Sequence, residues 1–491
     1  MTVEGNNCGV RVVILGAGPA GLTAAYELSN LGVACIVLEK DAVVGGLART
    51  VEYKGFRFDI GGHRFYTKVS LVQQIWRDVL GDELLTRKRL SRIYYKSRFF
   101  KYPLEPYDAF RGLGLTETLR CGLSFGRSRL FPTLPERDFA TWVSNRFGRR
   151  LFETFFKSYT EKVWGMNCRE IAAEWAAQRI QGLSAWSLLR DAVFGRSGNR
   201  IKTLINEFQY PRLGPGMLWL RMREIVERRG VPVILNASVE SIRWQPGKVI
   251  SVQAGGKTYE GAQFISSIPI RELVEKLDPT APSALLAAAG KLRYRDFITV
   301  SLMVRGRDLF PDNWIYVHDP AVIAGRVQNY GNWSPEMTPN PDFTCLGVEY
   351  FCNTSDAIWR ESDEDLIALA KREMVQLGLV QGADIVDGAV VRMPKAYPVY
   401  DRGYQGGLAT VREFLETVPN LQLVGRNGMH RYNNQDHSML TAILAVRNIL
   451  GARFDLWNLN VDKDYLEAGT GISNEELTVL EQSQPLVPKT I

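Results

Sequence analysis

Residues 11–21 read Arg-Val-Val-Ile-Leu-Gly-Ala-Gly-Pro-Ala-Gly, and the apolar run Ile36-Val37-Leu38 ends in Glu39. The pattern is a strand, a glycine turn, a helix over Leu22–Leu31 and a second strand closed by an acid. That order predicts a dinucleotide-binding unit. Gly16 permits the tight turn, Gly18 lets backbone approach a pyrophosphate, and Gly21 lets the helix pack closely on the strand. Ala20 belongs to the same turn, whose helix N-terminus faces the phosphates. Glu39, eighteen residues beyond Gly21, is placed to accept hydrogen bonds from a ribose.

The next segment selects the dinucleotide. Gly45-Gly46-Leu47-Ala48-Arg49-Thr50 sets a cation three residues after a second glycine pair, which suits a cofactor longer than NAD whose phosphates need more support. The expected cofactor is FAD, with Gly46, Leu47 and Arg49 among its contacts; an ordinary glycine turn is the plain alternative. The glycine pair and arginine resemble the signature of the flavoprotein superfamily that holds amine oxidases, protoporphyrinogen oxidase, UDP-galactopyranose mutase and the Rab GDP-dissociation inhibitors.

With 491 residues, 45% of them hydrophobic and 11% aromatic, the chain has material for a large core and two or three domains. No run approaches the roughly 18 apolar residues of a spanning helix, and the apolar stretch from Val10 lacks the basic start of a signal peptide. Cys8, Cys35, Cys121, Cys168, Cys345 and Cys352 show no CxxC spacing, so reduced thiols and a cytoplasmic setting are expected. The net charge of +7 is locally concentrated. Arg87, Lys88, Arg89, Arg92, Lys96, Arg98 and Lys101 form one cluster, and further arginines follow at 127, 129, 137, 146, 149 and 150. Such a field favours an anionic substrate or peripheral contact with an anionic membrane; a solvated helical face is the bland alternative. Nucleic acid is not expected, because no recognition motif accompanies the charge.

The organisation predicted is α/β: a Rossmann-like FAD-binding domain of the GR2 type assembled from segments 1–70, 216–290 and 400–460. A helical insertion over 71–215, a mixed α/β substrate domain over 291–399 and a polar tail over 461–491 complete it. Strands are expected at Val231–Leu235, Val239–Trp244, Val249–Ala254, Gln263–Ile268, Ile298–Val304, Cys345–Phe351, Ala389–Arg392 and Leu421–Val424, with Val239 a cofactor contact. Helices are expected over Asp363–Leu377 and Ser438–Leu450, the latter presenting Met439, Ile443, Val446 and Leu450 on one face.

Phe58-Asp59-Ile60-Gly61-Gly62-His63-Arg64-Phe65 puts a histidine after a glycine pair, where backbone can approach a flat ring. Residues 425–438 read Gly-Arg-Asn-Gly-Met-His-Arg-Tyr-Asn-Asn-Gln-Asp-His-Ser ahead of the last helix. Both segments resemble UDP-galactopyranose mutase, the second its eukaryotic form. The resemblance continues in Tyr159-Thr160-Glu161-Lys162-Val163-Trp164, Trp175-Ala176-Ala177-Gln178-Arg179, Arg326 to Pro335 and Tyr397-Pro398. It implies Gly62, His63, Gly425, Arg426, Gln435, Asp436 and Ser438 as cofactor contacts. It further implies His63, Arg179 and Arg326 as catalytic residues, and Trp164, Asn206, Trp333, Tyr397 and Tyr432 as substrate contacts. A guanidinium fork suits phosphate oxygens, so an anionic nucleotide sugar is the expected substrate. Glu105, Thr160 and Ile205 depart from the mutase pattern at the sugar and nucleobase end.

The resemblance implies interconversion of pyranose and furanose rings at N5 of reduced FAD, with no net redox change and NAD(P)H as candidate reductant. The absence of a nucleophile triad or metal-ligand spacing agrees with it. Two other classes stay open: an FAD-dependent oxidase or desaturase using an apolar funnel of aromatics such as Phe152, Phe155 and Phe156, and a non-enzymatic prenyl-binding escort.

Overall fold

A computed structural model describes residues 11–459, apart from 103, 105 and 174–206. Glu105, Trp175, Arg179, Ile205, Asn206, Cys8 and the segment 461–491 therefore lie outside the described residues.

Five parallel strands form the first sheet, in the order Leu421–Leu423, Gln263–Ser266, Val12–Leu15, Cys35–Leu38 and Val233–Ile234. Every residue of Val12–Leu15 and Cys35–Leu38 is buried, as a parallel sheet covered on both faces requires. The helix Pro19–Asn30 follows the glycine turn with proline at its start, where the missing N–H costs nothing. It packs against Gln435–Ile449 and Gly216–Arg228. Gln435–Ile449 is buried all round from Gln435 to Val446, because it also meets Ser70–Leu80. The single apolar face expected there is therefore too narrow, and Leu450, at 45% exposure, ends the helix instead of joining its core face.

A four-stranded sheet (Lys257–Glu260, Lys248–Ala254, Val239–Gln245, Leu277–Asp278) adjoins this core. The third sheet has seven strands, in the order Ile385–Pro398, Tyr294–Arg305, Phe343–Cys352, Arg326–Asn329, Trp314–Val317, Ser91–Tyr95 and Arg98–Lys101. The last two come from the stretch whose basic residues suggested a helical face. Leu84–Lys88, Ser91–Tyr95 and Arg98–Lys101 are strands, and Arg92 turns to the fully buried Asp312 at 2.6 Å. Helices dominate from Pro106 to Trp164, including a π-helical turn at Phe152–Lys157. The strand Glu207–Pro211 then pairs with Leu84–Lys88.

Candidate active site

The chain leaves Val12–Leu15 at Gly16, with φ +100° and no room for a side chain, since a Cβ would meet Ser267 Oγ at 2.4 Å. A Cβ on Gly21 would come within 1.8 Å of the Gly16 carbonyl oxygen, so the helix lies directly on the turn. Gly18 faces Gly46, and both border an elongated cavity with Ala20 and Leu47. Glu39, Val239, Gly425 and Ser438 also border it, drawn from four further chain segments. The Glu39 carboxylate accepts the Ala17 N–H at 2.6 Å and the Asp41 N–H at 2.9 Å, while burial pushes its pKa above the usual range. Arg49 stands one layer back: its guanidinium pairs with Asp41 at 2.7 Å and buttresses the acid instead of lining the cavity.

This cradle opens into a second cavity of about 660 Å³, and His63, Arg426 and Gln435 line both. Burial, reinforced by the charges of Arg426 and Arg326, depresses the His63 imidazole to a pKa of about 3, so it is neutral at physiological pH. Its Nδ1 has no partner in the protein, and neither amide atom of the buried Gln435 has one. Buried polar atoms left unbonded cost free energy on the order of 1–3 kcal/mol each. Gathered where the cradle meets the cavity, they fit the polar rim of an isoalloxazine ring. Arg426 is fixed there by the carbonyls of Asn433 (2.9 Å) and Ala396 (3.1 Å), with the Tyr432 ring 4.7 Å from its guanidinium. The helix Gln435–Ile449, capped by Asn434, starts at the same junction and directs its positive end there.

Gly62, Trp164, Tyr397, Tyr432, Asp436 and Arg326 all border the second cavity. Tyr397 stacks on Tyr432 with ring centroids 5.5 Å apart, and Trp164 meets Tyr397 edge-on at 6.5 Å. Arg326 donates to the Tyr397 hydroxyl at 2.9 Å. It is not an uncommitted guanidinium: Glu349, fully buried, lies opposite it in the strand ladder and pairs with its Nε at 2.5 Å. Burial opposes the Arg326 charge, but Glu349 and the surrounding tyrosine hydroxyls outweigh it and raise its pKa well above the ordinary value. Trp333 only edges the cavity. It is 1% exposed, packs on Trp314, Phe208 and Tyr210, and donates its indole N–H to the Asn313 carbonyl at 2.8 Å, which makes it a wall residue.

Sequence reading missed Glu349, although an acid in the otherwise apolar strand Phe343–Cys352 was a visible signal. It also gave no role to Tyr159, Arg64, His318 or Arg412, which border the same cavity. Arg64 and Tyr159 lie inside segments the sequence singles out, but nothing local marks His318 or Arg412, which join them because the sheet and the helices bring them there. His430 is fully buried and contacts the Val399 carbonyl at 3.4 Å, and burial lowers its pKa to about 4.

The profile of the flavin containing amine oxidoreductase family matches residues 19–450, and the chain belongs to that family. It is thus a flavoenzyme whose cofactor is FAD. Among solved structures, reduced UDP-galactopyranose mutase is similar with a TM-score of 0.81 and 21% identity, covering 93% of this chain and 97% of that one. Putrescine oxidase is similar with a TM-score of 0.63 and 16% identity, covering 90% and 99%. Among curated proteins, an L-amino-acid oxidase of Sistrurus catenatus edwardsii is 32% identical over 119 residues, which are 21% of this chain and 23% of that protein. Phytoene dehydrogenase of Streptomyces griseus is 39% identical over 91 residues, 18% of each. The matched segments thus span less than a quarter of these relatives.

Proposed function

We propose that this flavoenzyme rearranges an anionic nucleotide sugar, interconverting its pyranose and furanose forms without net redox change. One observation carries the reading: five arginines (64, 326, 412, 426 and 431) and one aspartate (Asp436) line a cavity walled by Tyr159, Trp164, Tyr397 and Tyr432. Such a surface suits a diphosphate flanked by rings that stack on aromatic faces. The fold shared with UDP-galactopyranose mutase is consistent with it.

Reduced FAD supplies an electron-rich N5 centre when bound. The protein's own part is to bind and exclude. Arg326, kept charged by Glu349 and oriented by Tyr397, grips the leaving diphosphate. Trp164 and the Tyr397–Tyr432 stack shut water away from the anomeric carbon. His63, neutral, is a hydrogen-bonding partner for the cofactor rim and not a proton source near neutral pH. Arg179, outside the described residues, is a candidate second grip.

A second reading rests on the cavity's apolar lining, where Phe139, Phe147, Leu151, Phe155 and Phe156 make a wall suited to an oxidoreductase of apolar substrates. The two are separated by product chromatography of UDP- and dTDP-sugars with dithionite-reduced protein, run beside oxygen uptake with amines and porphyrinogens. Ring interconversion by reduced protein alone supports the mutase. Oxygen uptake without any sugar rearrangement overturns it in favour of the oxidase.

A further inference from the structure

The helix Leu115–Leu130 and the loop after it concentrate apolar side chains in solvent. Leu115, Leu119, Leu123, Leu130, Phe131 and Leu134 are 60–77% exposed, whereas no other large apolar side chain among the described residues exceeds 55%. At about 100° per residue, Leu119, Leu123 and Leu130 fall within about 80° of Leu115, so the leucines form one stripe. Arg120 and Arg127 border the stripe on one side and Arg129 on the other, and all three are exposed. The helix's one acid, Glu117, is bound by Arg150 on the neighbouring helix and lies 3.6 Å from Arg120, so the face carries net positive charge. The helix is braced by its neighbour, since a Cβ on Gly148 would come within 2.7 Å of the Phe125 backbone nitrogen.

We propose that residues 115–134 are a membrane-docking face that seats the protein on an anionic phospholipid bilayer. Leucine and phenylalanine enter the boundary between headgroups and acyl chains, and the flanking guanidiniums meet lipid phosphates. A second copy of this chain is a poorer occupant, since a twofold self-contact would set arginine against arginine around the leucines. The attachment is peripheral: among the described residues no helix is long and apolar enough to cross a membrane.

The test is co-sedimentation of the FAD-loaded protein with vesicles of mixed phosphatidylcholine and phosphatidylglycerol, and with vesicles of phosphatidylcholine alone. Binding to the mixed vesicles should be stronger and should weaken as salt is added. The double variant Leu119→Asp with Leu123→Asp should bind at least about tenfold more weakly. The triple variant Arg120→Glu, Arg127→Glu and Arg129→Glu should lose the preference for anionic lipid, about fivefold per arginine. Flavin absorbance should match the wild type in both, and melting temperature should change little, because the altered side chains face solvent and the ion pair lost, Arg120 with Glu117 at 3.6 Å, is an exposed one. If the leucine variant does not fold, the arginine variant decides alone. Wild-type protein that ignores anionic vesicles overturns the proposal, as does binding untouched by either set of changes. A dimer in sedimentation velocity that the leucine variant dissociates, without vesicle binding by the wild type, would make this face an interface between copies instead.

Discussion

Arg326 lies across the strand ladder from Glu349, so replacing it acts on folding and on binding through different atoms. Arg326→Met leaves a fully buried carboxylate without its cation, and chemical denaturation should show a loss on the order of 3–5 kcal/mol. Arg326→Lys keeps the charge but not the fork. Its stability and flavin content should stay near normal, while affinity for UDP in calorimetry falls by about 1–3 kcal/mol. Equal UDP affinity in the lysine variant would separate Arg326 from the substrate altogether. Gly18 offers a second test, because a side chain there points into the cradle with only Gly46 opposite. Gly18→Leu should fold but purify without the flavin absorbance band; full flavin occupancy would argue that the pyrophosphate lies elsewhere.

The hairpin formed by Thr50–Tyr53 and Phe56–Asp59 is anchored through Asp59. The Tyr210 hydroxyl donates to one oxygen of its carboxylate at 2.5 Å and the Thr50 hydroxyl to the other at 2.9 Å, while the Gly216 N–H donates to Thr50 Oγ1 at 3.0 Å. Burial raises the Asp59 pKa to about 7, against the pull of those two donors. Because the folded value lies above the unfolded one, this carboxyl's contribution is complete below about pH 4 and is lost as pH rises through about 7. The stability of the wild type relative to Asp59→Asn should therefore drop, on the order of 1–3 kcal/mol, between pH 5 and pH 8. A constant difference across that range would mean the carboxyl is ionised throughout. The sequence announced this hairpin's neighbourhood through Gly61-Gly62-His63, just as glycine spacing announced the cradle, because close backbone approach leaves a local signature. The strands Ser91–Tyr95 and Arg98–Lys101 left a weaker one. Their basic residues obscured the alternation, and only pairing with Trp314–Val317 turns Arg92 inward. The second cavity was legible only in part, since Glu349 and Tyr159 gain meaning from a partner far away in sequence.

Three sheets drawn from distant segments contribute residues to one cradle, so FAD held there would stabilise the whole molecule. Binding to the folded chain alone at about 100 times the dissociation constant adds about 2.7 kcal/mol, so the melting temperature of depleted protein should rise on adding FAD. No rise would count against the cradle. The five-stranded sheet also has a timetable. Val12–Leu15 is its central strand and Leu421–Leu423 an edge, about 400 residues later. At roughly 5–20 residues per second, a ribosome needs roughly 20–80 s to go from one to the other. During that interval the nascent chain exposes unpaired strand edges, and the cofactor has nothing complete to hold. Protease resistance in pulse-labelled cells should thus appear only after Leu421–Leu423 has been synthesised, and riboflavin starvation should shorten the newborn protein's lifetime far more than that of protein already loaded.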